Sequence, residues 1–369
     1  MSHESEVKRI VDAVRSTRAN KGVIRIIGAG TWMDAGKPVT SNATLDTRAL
    51  QGIVAYEPGD LTITVGAGTS LSEIAAATAE HGQWLPLDPY GDPGGTVGST
   101  IATASIGPLA SLFGTPRDQI LGCEFVTGRA EVARGGGRVV KNVAGFDLVR
   151  LMTGAWGTLG VLTEVTMRLR AVPEADCTFA ISTSAEASWN WLRTSEVAPL
   201  AAELLSPALA RKLGVGDTTT LLLRLAGNDA LVQTGRNGAG ALGPLREVDG
   251  DVWQQLAVAE PMSAAVVRFS FTPSRANDLW NRVAPAADAA GGFAHYTVPR
   301  GVVRCVIPGS HAGLQETFLA MRAKATCVGE KLPAHLWATV PTPDPNKALA
   351  ERVQNAFDPD RVLNRGILG

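Results

Sequence analysis

RVVKNVAGFDLVRLMTGAWGTLGVLTEVTMRL, residues 138–169, is the stretch whose reading decides the fold. Its pattern predicts a strand from Arg138, a turn at Gly145, a short helical segment at 147–152, breaks at Gly154 and Gly157, and a closing strand after Thr158-Leu159-Gly160. Glycine repeated at such breaks lets a backbone come close to something that is not side chain. The identity of that something sets the function.

Upstream, Val7, Ile10, Val11 and Val14 recur at helical spacing, and Gly22 ends the helix they predict. The apolar run at 23–27 is a short strand delivering the chain to Gly28-Ala29-Gly30-Thr31, a turn whose amides can point at an anion. It is not the dinucleotide fingerprint, because Met33 stands at the third glycine position and no helix pattern follows. Leu61, Ile63 and Val65 alternate with Thr62 and Thr64, which predicts a strand with one buried face. A second Gly-Ala-Gly-Thr at 66–69 precedes Ser70 and Glu73, spaced as a capping box, so this copy reads as structural. Residues 85–105, LPLDPYGDPGGTVGSTIATAS, read as a loop laid against a flat ligand. After Gly114-Thr115-Pro116-Arg117-Asp118 comes an apolar strand through 120–126 and a hairpin at 135–137.

Downstream of Leu169 the texture changes, with Pro173 as a natural boundary. AVVRFSFTPSRANDLWNRV and GVVRCVIPGSHAGLQETFLAM read as two copies of strand, proline-containing turn and helix, placing Arg268 and Arg304 at equivalent positions. Such a repeat predicts an antiparallel sheet with helices on one face. The tail has a proline-rich loop at 341–345 and a helix around 348–357, and it can fold back on the first domain.

At 369 residues the chain is long enough for two domains, each with its own core. Its 45% hydrophobic and 19% charged residues describe a soluble, globular, loop-rich protein. A net charge of -1 argues against dominant contacts with nucleic acid or an anionic membrane. No segment has the pattern of a secretory signal or a spanning helix, so the expected location is the cytoplasm, or the inner face of the cell membrane through partners. Cys123, Cys177, Cys305 and Cys327 show none of the short spacings of zinc, dithiol or iron–sulfur sites.

Taken together, residues 28–31, the loop at 91–103, residues 114–118 and the opening stretch resemble the vanillyl-alcohol-oxidase-type (PCMH-type) FAD-binding domain. KNVAGFDLVRLMTGAWGTLGVLTEV is similar to the version in the FAD-binding E subunits of bacterial glycolate oxidases. The resemblance implies an α+β protein: a two-lobed FAD-binding domain at 1–170, a smaller antiparallel-sheet-plus-helices domain at 171–335, and a segment at 336–369 packing back on the FAD domain. It implies FAD held by Gly28, Ala29, Gly30 and Thr31 at the phosphates. The second loop would be Gly94, Gly95, Thr96, Val97, Gly98, Ser99 and Thr103, and the third set Gly157, Thr158, Gly160 and Val161. The first turn lacks the histidine that covalent members carry there, which implies a noncovalent flavin.

By the same resemblance, the expected activity is oxidation of a small 2-hydroxy acid such as glycolate, with electrons leaving through a homologous FAD-containing catalytic subunit and an iron–sulfur subunit. A substrate carboxylate calls for an arginine fork, for which Arg268 and Arg304 are candidates, and His295 is the candidate base. Each has a bland alternative: a structural ion pair for the arginines and a satisfied core histidine. The closely spaced histidines of catalytic relatives are absent, since His3, His81, His295, His311 and His335 form no such pair, and Arg365 interrupts the family's LNPG ending. Two rivals therefore stand beside the catalytic reading: a flavin-bearing or structural subunit that does no oxidation, and a stand-alone sugar or alcohol oxidase of the same fold.

Overall fold

The computed structural model describes residues 2–137, 146–322, 325–338 and 346–368. The strand and turn expected at 138–145 and the proline-rich 341–345 lie outside the described residues. Helix α1 (His3–Ala19) is capped by Ser2, whose side chain accepts from the Ser5 amide, and its inner residues Ile10 and Val14 are fully buried. Strand β1 (Ile24–Ile27) then pairs in parallel with β2 (Ala43–Asp46). Next come β3 (Ile53–Glu57), β4 (Thr62–Gly66) and helix α2 (Leu71–Ala79), begun by the expected Ser70–Glu73 capping box. After β5 (Gln83–Trp84) the chain forms α3 (Val97–Thr103), α4 (Ala110–Phe113) and α5 (Pro116–Gln119). Then β6 (Ile120–Thr127), β7 (Val132–Gly136), α6 (Leu148–Met152), β8 (Gly160–Arg168) and β9 (Arg170–Ala171) complete this part.

An antiparallel five-stranded sheet has the order β3-β4-β8-β6-β7. On one face Phe125, Leu162 and Val165 pack with α2 and α3, and on the other Val126 and Val161 pack with α1, β1 and the tail. Strands β6 and β8 are apolar on both sides because both faces are covered. Strand β4 corrects the sequence expectation for the same reason: Thr62 and Thr64 are buried too, and Thr64 meets Thr166 across the strands at 2.9 Å. The hairpin also moves, turning at 128–130, while Gly135 and Gly136 lie inside β7.

The second sheet uses β10 (Ala175–Ser182), β11 (Ala201–Leu205), β12 (Thr220–Gly227), β13 (Arg246–Val248), β14 (Ala264–Ser270), β15 (Phe293–Thr297), β16 (Val302–Pro308) and β17 (Thr326–Lys331). It is antiparallel throughout, in the order β13-β10-β12-β11-β15-β16-β14-β17. Helices α7 (Ala185–Thr194), α8 (Pro207–Lys212), α9 (Asp229–Ala239), α10 (Val252–Ala257), α11 (Ala276–Ala289) and α12 (Leu314–Arg322) connect the strands. The repeat is present as β14–α11 and β16–α12, its strands are neighbours, and Arg268 lies directly opposite Arg304. Helices α7, α9, α11 and α12 cover one face around Phe179, Trp280 and Tyr296. The expectation of helices on one face alone is corrected by α8 and α10, which pack Leu209, Val252 and Leu256 on part of the other.

The remainder of that second face carries polar side chains and looks toward the first sheet's loops. Helix α13 (Lys347–Phe357) sets Phe357 6.1 Å from Phe125, and Leu363 bridges in parallel to Ile24.

Candidate functional site

A cleft of about 750 Å³ lies where β1 ends, α3 begins and the tail returns. Beyond Ile27 the chain leaves β2, and the amides of Gly28, Ala29, Gly30 and Thr31 donate to no acceptor among the described residues. A turn of successive free amides is a ready anion receptor. The turn lies so close to the start of α3 that a Cβ on Gly28 would overlap Thr96 Oγ1. Thr96 caps α3 by accepting from the Ser99 amide at 3.3 Å.

The segment read from sequence as a loop thus contains a helix, seven residues long, from Val97 to Thr103. Gly98 packs on the second Gly-Ala-Gly-Thr turn: its amide donates to Ala67 O at 2.9 Å, and a Cβ there would stand 2.6 Å from the same oxygen. That second turn is the bed on which α3 rests.

The opposite wall comes from the stretch around Trp156. Trp156 and Gly157 both have left-handed backbone, φ 53° and 68°. Asn364 clamps this wall to β1, accepting from the Ile26 amide at 2.9 Å and donating to Trp156 O at 2.8 Å. Trp32 stacks on Trp156 with ring centres 6.0 Å apart.

Of the expected flavin residues, Gly28, Gly30, Thr31, Gly98, Ser99, Thr103, Gly157, Gly160 and Val161 line the cleft. Ala29, Gly94, Gly95, Thr96, Val97 and Thr158 do not. Gly94 and Gly95 form a turn whose amides both donate to Asp92, and Val97 is in the core. Thr158 turns its hydroxyl to Ala155 O. Sequence reasoning missed Arg25, Trp32, Trp156 and Asn364, which also line the cleft. The signal for Arg25 was a lone charge in the apolar run VIRII leading to a glycine turn.

The cleft fits a dinucleotide diphosphate in the chemistry of its donors. Among the described residues no aspartate or glutamate lines it. Arg25 Nη1 and Trp32 Nε1 are buried without a hydrogen-bond partner. Burial pushes the Arg25 pKa down from its ordinary value, a cost that a bound anion removes.

Next to this cleft, and sharing Trp32, Thr103 and Trp156 with it, a second cavity faces β14, β16 and β17. Arg304, 4% exposed, donates from Nε to Glu260 at 2.6 Å and from Nη1 to Glu330, and stands 4.5 Å over the Tyr90 ring. Burial works against its charge, but the two carboxylates outweigh it and its pKa is raised. Arg304 is therefore held as a structural ion pair, the bland alternative. Arg268 Nε lies 3.3 Å from Glu330 Oε1 without hydrogen-bond geometry.

His295 stands opposite Arg304 in the sheet. It is 2% exposed, with Nδ1 2.6 Å from the buried Glu203 and 3.5 Å from Tyr90 Oη, and it lines neither cavity. The sheet thus aligns all three candidates in one row but locks two of them.

Residues 3–136 match the FAD binding domain family. The chain is 35% identical over 249 residues to glycolate oxidase subunit GlcE of Escherichia coli (strain K12), covering 67% of each chain. This chain belongs to the GlcE family of FAD-binding subunits. FAD is the cofactor of this GlcE-type chain, and its class is that of FAD-dependent oxidoreductases. Over 148 residues it is 33% identical to glycolate oxidase subunit GlcD of Bacillus subtilis (strain 168), covering 40% of this chain and 32% of that one. The mitochondrial cytochrome-type D-lactate dehydrogenase of Arabidopsis thaliana is 35% identical over 130 residues, 35% of this chain and 23% of that one. A solved structure of alkyldihydroxyacetonephosphate synthase shares the fold, with TM-score 0.72 over 97% of this chain and 74% of that chain at 16% identity. The GlcE-type chain is thus α+β with a PCMH-type FAD-binding fold.

Proposed function

We propose that this chain is the FAD-bearing E subunit of a glycolate oxidase complex that converts glycolate or a similar small 2-hydroxy acid to the 2-oxo acid. The observation that carries the reading is a cleft without an acid among its described lining residues, where Gly28, Gly30 and Thr31 bring unbonded amides beside the unpartnered Arg25. In this reading Gly28, Ala29, Gly30 and Thr31 receive the diphosphate with Arg25. Helix α3 presents Gly98, Ser99 and Thr103 to one side of the cofactor, and Gly157, Gly160 and Val161 close the other. When bound, FAD supplies the two-electron acceptor. The chain's own part is to exclude water with the Trp32–Trp156 pair and to hold the substrate beside the cleft. Among the described residues no histidine or cysteine lines the cleft, which supports a noncovalent flavin.

The chain is read as an FAD domain at 1–170, a cap at 171–335 and a returning segment at 336–369. Electrons would pass to a homologous FAD-containing subunit and an iron–sulfur subunit. Among the described residues no group of histidine, cysteine and acidic side chains could hold a metal ion. Burial pushes the Cys123 thiol up to about 12, so it remains protonated. No helix among the described residues is long and apolar enough to cross a membrane. A cytoplasmic location, with attachment at the inner face of the membrane through partners, accords with that.

A second reading, a subunit that bears flavin without oxidising substrate, is favoured by the locked state of His295 and Arg304. The deciding experiment is purification with and without natural partners. We expect a flavin absorption spectrum, yellow supernatant after acid precipitation, and bleaching by glycolate without oxygen. Colourless protein would sink the cofactor assignment, a coloured pellet would show a covalent link, and flavin that glycolate never bleaches would establish the second reading.

A further inference from the structure

The cavity between Trp156 and the second sheet contains cations that outnumber its carboxylates. Arg268, Arg300 and Arg304 border it, with Glu330 the acid on its wall. Behind the wall, Glu260 joins Arg304 and Lys331, and Lys331 also pairs with Asp34 at 3.4 Å. Four cations and three carboxylates make up this cluster, and Asp118 and Asp88 lie near enough to act on Arg300 without pairing with it. Arg300 is the cation of the group without an ion pair: the residue is half-buried, and among the described residues no carboxylate lies within ion-pair range of it. Its one hydrogen bond runs from Nη1 to Ala110 O at 3.1 Å. Asp118 is held by its cap to Thr115, and Asp88 by the Leu109 amide. Burial and the neighbouring Arg268 both push the Arg300 pKa down, the condition of a guanidinium lacking its anion.

We propose that this cavity is the receptor for one small monocarboxylate, gripped by Arg300 together with Arg268, whereas Arg304 is scaffold. The inference deepens the reading above by naming the residues that hold the substrate. Arg300 has four N–H groups left after the bond to Ala110, and Arg268 Nε is buried without a hydrogen-bond partner. A carboxylate accepts two such donors in parallel, which a guanidinium fork supplies and an ammonium does not. Trp32, Thr103 and Trp156 border both cavities, so an anion held here adjoins the cofactor cleft. Glu330 on the wall sets the specificity: a second carboxylate on the ligand would be repelled by it.

The test is calorimetric titration of the purified chain with glyoxylate and with malonate, beside its flavin content and circular dichroism. We expect the parent to bind glyoxylate more tightly than malonate. Arg300→Met and Arg300→Lys should each weaken glyoxylate about tenfold to a hundredfold with flavin content unchanged. Arg268→Lys should act in the same direction. Arg300→Lys keeps the charge and the reach, so it serves if Arg300→Met does not fold. Equal glyoxylate affinity in parent, Arg300→Lys and Arg268→Lys, or malonate bound as tightly as glyoxylate by the parent, would overturn the proposal. Because calorimetry reads the anion whether or not flavin is present, a colourless protein defeats the cofactor reading and leaves this test in force.

Discussion

Gly98 illustrates how one missing methyl group shapes a site. It sits in the core between α3 and the second glycine turn, where a side chain would run into Ala67 O. Replacing Gly98 with Leu should push α3 out of the cleft and abolish flavin absorbance, while the far sheet keeps its cooperative unfolding transition. Normal flavin content in that variant would refute the cleft assignment. Asp88 has a different fate: burial pushes its pKa up to about 7, offset in part by the amides of Leu109 and Gly107. Its unfolded value is near 3.9. The folded state therefore binds that proton more tightly, and the stability it contributes is complete below about pH 4 and lost as the pH rises to about 7. Asp88→Asn should flatten the pH dependence of urea unfolding across that window, and an unchanged profile would show that Asp88 does not govern it.

Residue-level legibility follows the same logic. Gly28 and Gly30 border the cleft, and only the family resemblance pointed to them, since a glycine turn after a strand is by itself most often just a turn. Gly94, Gly95 and Val97 were read with them because sequence shows adjacency and not direction, and the amides of Gly94 and Gly95 are taken up by Asp92. Trp156 was invisible as a wall residue, since nothing in a tryptophan announces a left-handed backbone.

Among the elements, α1, β1, α2 and the β14–α11 and β16–α12 repeat were legible from apolar spacing and capping residues. Helix α3 was not. Its VGSTIAT sequence is built from weak helix formers, so a local reading favours loop, and tertiary packing against Ala67 and Val165 makes the helix instead. The clamp between tail and β1 was foreseen only as a fold-back, not as a residue. Asn364 makes it through two hydrogen bonds while 5% exposed and in left-handed conformation, φ 42°. Asn364→Ala leaves the Ile26 amide and Trp156 O without that partner and should cost about 2–3 kcal/mol of stability. The same variant should release flavin more readily, measured as a raised dissociation constant, whereas unchanged stability and flavin affinity would show the clamp to be dispensable.

For the molecule as a whole, the charged row of the second sheet governs how the two sheets' faces meet. Arg304 answers Glu260 and Glu330 and lies over Tyr90 from the other side. Burial alone would raise the Glu260 pKa, yet Arg304 overrides it and the value is lowered. A carboxylate depressed on folding adds stability above its unfolded pKa and loses it as the pH falls through the folded one. Arg304→Leu should leave buried carboxylates short of a partner and cost about 3–5 kcal/mol in urea unfolding, with the loss shrinking toward strongly acid pH. A loss under 1 kcal/mol would mean that water solvates the pair.

The parallel bridge between Ile24 and Leu363 joins positions 339 apart in the chain, and the Asn364 clamp beside it joins positions 338 apart. At about 5–20 residues per second of synthesis, β1 waits roughly 20–70 s for its neighbour. Until then the core around Ile24 lacks Val362 and Leu363, and the wall at Trp156 lacks its tie to β1. The cofactor therefore cannot template the early stages of folding: it enters a nearly finished protein, and chaperones have the nascent chain to themselves in the interval.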